Sequence, residues 1–279
     1  MIAFGQLMKY SLSVMLIIVL VFSSGIFSIL LYGKLTEESN GTHSGFGNKT
    51  QLNNGSFVRQ TPQPTAVPTV RVRKASAMIT APIISQFPEL KSGCEITTLA
   101  MMLQYYGINK SKLGLLPEMK YDKTAYIVDS NDKITFWGNP NVGFVGDITG
   151  REKGYGIYHT ALIDLLKKYI PSAVDLTGKS FETLEDKIEE GIPVEVWTTI
   201  HYQDSVEWMV WDTGLGPIKT TLSEHAVLLV GYDKDNVYVN DPYTGLSQVK
   251  VNKALFIKTW EMMDKQAISY AKGETNHGL

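Results

Sequence analysis

Cys94 is the single cysteine of a 279-residue chain, and it stands in Lys91-Ser-Gly-Cys-Glu-Ile-Thr-Thr-Leu-Ala100, where the sequence turns from polar to apolar as at the start of a helix. A cysteine can attack a carbonyl carbon if its thiol proton is removed, a base carries protons, and donors meet the developing oxyanion. At a helix N-terminus, unpaired backbone N–H groups favour the thiolate, and Gly93 lets a substrate backbone approach closely. A small buried residue opening a core helix accounts for the same segment equally well.

Five histidines are available as bases. His43 lies in a polar stretch and His277 in the tail. His159 opens a helical pattern, where a polar N-terminal role suffices, and His201 ends a strand-like run and stays a possible base. His225 begins the apolar run His225-Ala-Val-Leu-Leu-Val-Gly-Tyr232, and Asp241 ends Val237-Tyr-Val-Asn-Asp241. With the turn-forming Asp233-Lys-Asp-Asn236 between them, these runs predict a β-hairpin. Both side chains then emerge near one end of the sheet, where the carboxylate can fix the imidazole tautomer. An edge histidine and an Asp-Pro turn at Asp241-Pro242 fit the same residues.

Positioning elements can be read around these residues. Thr97 to Tyr106 is apolar on most faces and stops at Gly107, as a buried helix does. Further helices are expected at 161–169 and 181–188, a strand at 193–200, another at 246–251, and a last helix capped by Asn252 with Phe256, Trp260 and Met263 inward. Helices early and strands late predict an α+β domain over about 76–270, followed by a tail at 271–279. Glu95 reads as an exposed first-turn acid that suits the helix dipole. The glycine-rich 138–156 and aromatic 202–211 segments are candidate walls of a groove, and ordinary loops fit them as well.

Residues 10–33 carry no charge and are mostly apolar. As a helix they would extend roughly 36 Å, enough to span a bilayer with some tilt. After the short N-terminal segment 1–9 this predicts a transmembrane anchor with the bulk of the chain outside. The alternative is secretion after cleavage near Ser23-Ser24-Gly25. Residues 34–75, rich in Asn, Gly, Ser, Thr and Pro, read as a disordered linker that ends in the basic cluster Arg71 to Lys74.

A net charge of −2 argues against general nucleic-acid binding. The absence of Cys-x-x-Cys and His-Glu-x-x-His gives no support for a metal, and no cofactor is expected.

Taken together, Ser92-Gly-Cys-Glu-Ile-Thr-Thr-Leu-Ala-Met-Met-Leu103, Tyr105-Tyr-Gly107, His225-Ala-Val-Leu-Leu-Val-Gly-Tyr-Asp233 and Val239-Asn-Asp-Pro-Tyr243 resemble the C39-like group of papain-fold cysteine peptidases over about 80–270. The resemblance implies Cys94 as nucleophile, His225 as general base and acid, Asp241 as its orienting residue, and Gln86, eight positions before Cys94, as an oxyanion donor. It also implies a papain-like fold and a peptide or protein substrate. Better-known members of the wider family cleave leader peptides beside ABC transporters. This chain has no Walker motif, so that substrate does not carry over. Peptide-bond hydrolysis, amidase or acyl-transfer chemistry on cell-wall peptide, and a non-catalytic binding module are the three functions in view.

Overall fold

The computed structural model describes residues 73–272. The expected membrane span at 10–33, nearly all of the expected linker and residues 273–279 lie outside the described residues. Among the described residues, no helix is long and apolar enough to cross a membrane.

The described chain is an α+β fold. Its strands are β1 (Ala77–Met78), β2 (Tyr121–Asp122), β3 (Ile127–Val128), β4 (Ile134–Phe136), β5 (Phe144–Val145), β6 (Ala173–Asp175), β7 (Val194–Thr199), β8 (Met209–Thr213), β9 (Gly216–Thr220), β10 (Glu224–Tyr232), β11 (Asn236–Asp241), β12 (Leu246–Asn252) and β13 (Ala267–Tyr270). Its helices are α1 (Cys94–Tyr106), α2 (Lys112–Leu115), α3 (His159–Tyr169), α4 (Phe181–Glu189) and α5 (Lys253–Met262). The main sheet runs β12-β11-β10-β7-β13-β6, with β1 added beside β10, and every pairing in it is antiparallel.

The long elements follow the periodicity of the sequence. α1 buries Ile96, Leu99, Ala100, Met101, Met102 and Leu103, and it ends at Gly107, whose φ of 101° is a left-handed conformation that favours glycine. α5 begins where the Asn252 side chain accepts from Leu255 N–H, and Phe256, Trp260 and Met263 are buried as expected. β10 is buried along its whole length, as befits a central strand, and β11 pairs with it in the predicted hairpin.

A second sheet of order β3-β4-β8-β9 has no counterpart in the sequence reading. Its core is aromatic. Trp137 lies 5.6 Å from Trp211, and Trp211 lies 5.2 Å from Tyr155, measured between ring centroids. The Trp211 indole N–H donates to Gly138 O at 3.0 Å, which anchors the ring.

The start of the domain also differs from expectation. Arg73, assigned to the end of the linker, pairs with Asp186 at 3.0 Å and with Glu185 at 3.7 Å. That basic residue is therefore attached to α4.

Candidate active site

Cys94 is the first residue of α1. Gly93 precedes it because a Cβ there would lie 2.6 Å from the Leu90 Cβ, inside any tolerable contact. Thr98, one turn on, donates its hydroxyl to Ala226 O at 3.3 Å, tying the helix start to β10 beside His225. Cys94, His225 and Gln86 line one pocket of about 120 Å³ together with Lys91, Ser92 and Tyr243.

The hairpin brings its two predicted residues into contact. His225 Nε2 donates to Asp241 Oδ1 at 2.8 Å, and both residues are buried. Burial pushes the Asp241 carboxyl up, but the His225 hydrogen bond and charge and the backbone N–H of Tyr243 outweigh it and hold Asp241 below the usual carboxylate range. An ionised carboxylate only accepts, so Nε2 carries the hydrogen and Nδ1 is left as the basic nitrogen. Tyr243 stands edge-on to the imidazole at 6.1 Å and to Phe87 at 5.2 Å, walling one side of the ring.

Gln86 is nearly inaccessible. One hydrogen of its amide nitrogen goes to Lys91 O at 2.8 Å, which leaves the other for the pocket. Its loop is clamped by the Lys112 ammonium, buried against Ser85 O at 2.6 Å, Gln86 O at 2.9 Å and the Glu89 carboxylate at 2.7 Å. Lys112 carries no mark of burial in the sequence, because it stands three residues before the apolar pair Leu115-Leu116 and its partners lie more than twenty residues away.

Glu95 corrects an expectation. It is fully buried rather than exposed. Its Oε1 accepts from Ile157 N–H at 2.7 Å, and its Oε2 lies 3.4 Å from Cys94 Sγ. Two further buried acids gather near it. Register sets Glu224 opposite Thr199 and Leu228 opposite Glu195, so Glu224 and Glu195 project from the same face of the sheet. Among the described residues, Glu224 Oε1 and both Glu195 oxygens have no hydrogen-bond partner. Gly156 makes room for the group, because a Cβ there would overlap Glu95 Oε1 and press on Glu224 Oε2.

The acids set the electrostatics around Cys94. Burial, followed by the charges of Glu95 and Glu224, pushes the Cys94 thiol well above its ordinary value, although the Ala226 N–H acts in the opposite sense. Burial raises Glu95 to about 7. It also raises Glu224 and Glu195 well above the carboxylate range, and the neighbouring acids add to both shifts. The lowered thiol expected from the helix N-terminus is thus reversed in this conformation. Cys94 Sγ hydrogen-bonds Glu95 and makes no hydrogen bond to His225. Ligand atoms of Cys94, Glu95 and Glu224 lie within 4.8 Å of one another, so a cation held there would sequester the sulfur.

Of the other histidines among the described residues, His159 lies apart from the site and His201 borders it. His159 Nδ1 bonds Asp175 at 2.7 Å at the start of α3. His201 has a left-handed φ of 55°, and its ring lies 5.7 Å from that of Tyr243.

A cysteine at a helix N-terminus that shares a pocket with a carboxylate-bonded histidine on an antiparallel sheet defines a papain-like fold. Within that class, the chain belongs to the Peptidase_C39 like family, whose model matches residues 78–268. It is 39% identical over 186 residues to the uncharacterised protein YvpB of Bacillus subtilis strain 168, covering 66% of this chain and 71% of that one. It is also similar to a solved structure from Bacillus anthracis, described as a candidate C39-like peptidase. That match has a TM-score of 0.64 and 41% identity, and covers 71% of this chain and 98% of the other.

Proposed function

We propose that the chain is a cysteine peptidase that hydrolyses peptide bonds through a thioester at Cys94. The observation that carries this reading is the shared pocket of Cys94, His225 and Gln86, with His225 fixed by Asp241. In the proposed reaction, His225 Nδ1 takes the thiol proton as sulfur attacks the carbonyl carbon. The second amide hydrogen of Gln86 and the backbone N–H of Cys94 meet the oxyanion. The imidazolium then protonates the leaving amine, and the thioester forms. Finally the neutral imidazole draws a proton from water, which cleaves the thioester and restores the thiol.

The uncharged stretch 10–33 supports a single-pass anchor with this domain outside the cell, where proteins, peptides or cell-wall peptides would be its substrates. Cell-wall amidase or acyl-transfer chemistry would use the same residues, and the nature of the released product separates it from proteolysis.

A second reading, a peptide-binding module without turnover, draws on one observation: the resting thiol is buried, raised and bonded to Glu95 rather than to His225. Hydrolysis of an unstructured protein and of purified wall peptide, measured for the full chain and for Cys94→Ala, decides between them. Peptidase action predicts a loss of at least about a thousandfold in the variant. Equal turnover by both proteins refutes it.

A further inference from the structure

The pocket of the nucleophile continues into a larger one. Gly154 and Leu222, which line the space around Cys94, also wall a second cavity of about 470 Å³. On the same measure, the space around Cys94 is about 120 Å³, roughly a quarter of the adjoining cavity. A bulky side chain close to the scissile bond finds its larger space in the adjoining cavity.

The adjoining cavity is built for apolar contact. Its floor is Trp137, buried and braced by Trp211, with Ile134 and Met209 beside it. At the rim, Trp208 is 36% exposed and Leu222 61% exposed, so large apolar surface faces water there, and Leu222 also borders the pocket of Cys94. The Lys219 ammonium stands 4.7 Å from the centre of the Trp208 ring, which limits its rotation. The charged residues at the cavity are two acids, Asp132 and Glu207, and two lysines, Lys133 and Lys153. Their charges cancel, and Lys153 is already paired with Asp132 at 3.5 Å. No net charge selects an ionic side chain, and the preformed aromatic floor offers a side chain its apolar contact.

We infer that this cavity is a specificity subsite that seats a large aromatic or branched aliphatic side chain of the peptide, close to the bond presented to Cys94, with Trp208 and Trp137 as its walls. The inference rests on the peptidase reading for the class of its ligand, but its test does not require turnover. The second sheet thus has a functional reason to exist: β4 and β8 carry or adjoin the residues that face the side chain.

The test uses the full chain carrying Cys94→Ala, reconstituted in lipid nanodiscs, and capped pentapeptides of alanine with Phe, Leu or Asp scanned through each position. Calorimetry is expected to show one position at which Phe and Leu bind at least about tenfold more tightly than Ala or Asp. Trp208→Ala removes that preference, and Trp208→Phe restores most of it. Equal affinity across the panel, no measurable binding of any peptide, or a preference that survives Trp208→Ala overturns the subsite. The same peptides are offered to the chain with Cys94 intact. Cleavage without a preference for Phe or Leu leaves the peptidase reading standing and removes the subsite. A preference in binding without cleavage keeps the subsite and removes the peptidase.

Discussion

Replacing Glu95 with Gln is expected to speed alkylation of Cys94 above neutral pH. Glu95 Oε2 is 3.4 Å from the sulfur, and its charge is the largest contribution after burial to the raised thiol. With Glu95 titrating at about 7, the carboxylate opposes the thiolate at pH 8.5 and is largely neutral at pH 5.5. Two unit charges about 4 Å apart at an effective dielectric of 20 repel by about 4 kcal/mol, equivalent to about three powers of ten in ionisation. A less basic thiolate is also less nucleophilic, which takes back roughly half on a logarithmic scale. The net gain is therefore about thirtyfold at pH 8.5. This is an upper figure, because loss of the Glu95 charge makes Glu224 easier to ionise.

The assay is the rate of iodoacetamide labelling from pH 5 to 10, read by mass. Cys94 is the single cysteine, so every adduct reports on it. Glutamine preserves the shape of the side chain and can still accept from Ile157 N–H, which limits repacking. At pH 5.5 the variant and the parent are expected to label within about twofold of each other. The electrostatic account fails if Glu95→Gln is no faster at pH 8.5, or if it is faster by the same factor at both pH values.

Two other substitutions address the proposed base and the acid cluster. Asp241→Asn is expected to lower kcat/KM by two to four powers of ten with the fold retained, because an amide can present N–H to Nε2 and reverse the imidazole tautomer; a loss below threefold counts against the orienting role. Glu195→Gln is expected to flatten the fall of stability with pH. Burial raises this carboxyl in the folded protein, so as pH climbs through about 4.3 the unfolded chain releases a proton that the folded one keeps. Stability then declines by up to about 1.4 kcal/mol per pH unit until the folded group also ionises. Denaturant midpoints at pH 5 and 8 measure the difference, and an unchanged slope would mean that Glu195 is not held protonated.

The residues alone placed Cys94 at a helix start and His225 with Asp241 at one end of a local hairpin; the family resemblance joined them as a candidate triad. Cys94 opens a helix flanked by Gly93 and Gly107, and His225 and Asp241 are joined by a short hairpin whose alternation fixes where each emerges. Gln86 was reached through family resemblance alone, since its placement depends on Lys112 and on the Asn240 amide, which holds Ala81 O at 3.0 Å and Pro82 O at 2.9 Å. The acid cluster was hidden for a physical reason. A polar residue in a helix turn or at alternate strand positions reads as solvent-facing, and its burial is decided by a loop distant in sequence: the partner of Glu95 is the N–H of Ile157. The second sheet escaped because its strands are two to five residues long, and because β4 pairs in parallel with β8 across more than seventy residues.

The buried acids also bear on the pH at which a Cys94 nucleophile could work. In a site that rests as a thiolate–imidazolium pair, the thiol is lowered and reactivity persists into alkaline solution. Here burial and two carboxylates favour the neutral thiol, so the proton must leave as the substrate arrives. A protonated Glu95 assists this step by donating to the sulfur as it gains charge, whereas an ionised Glu95 opposes it. Turnover is therefore expected to fall along an alkaline limb near pH 7, where Glu95 ionises, and that limb should move upward or vanish in Glu95→Gln, which has no proton to lose. The variant also forfeits the charge-neutralising role of a carboxylic acid, so its activity below pH 6 should not exceed that of the parent. A pH–kcat/KM profile with the same alkaline limb in both proteins would assign that limb to another group and leave Glu95 a packing residue.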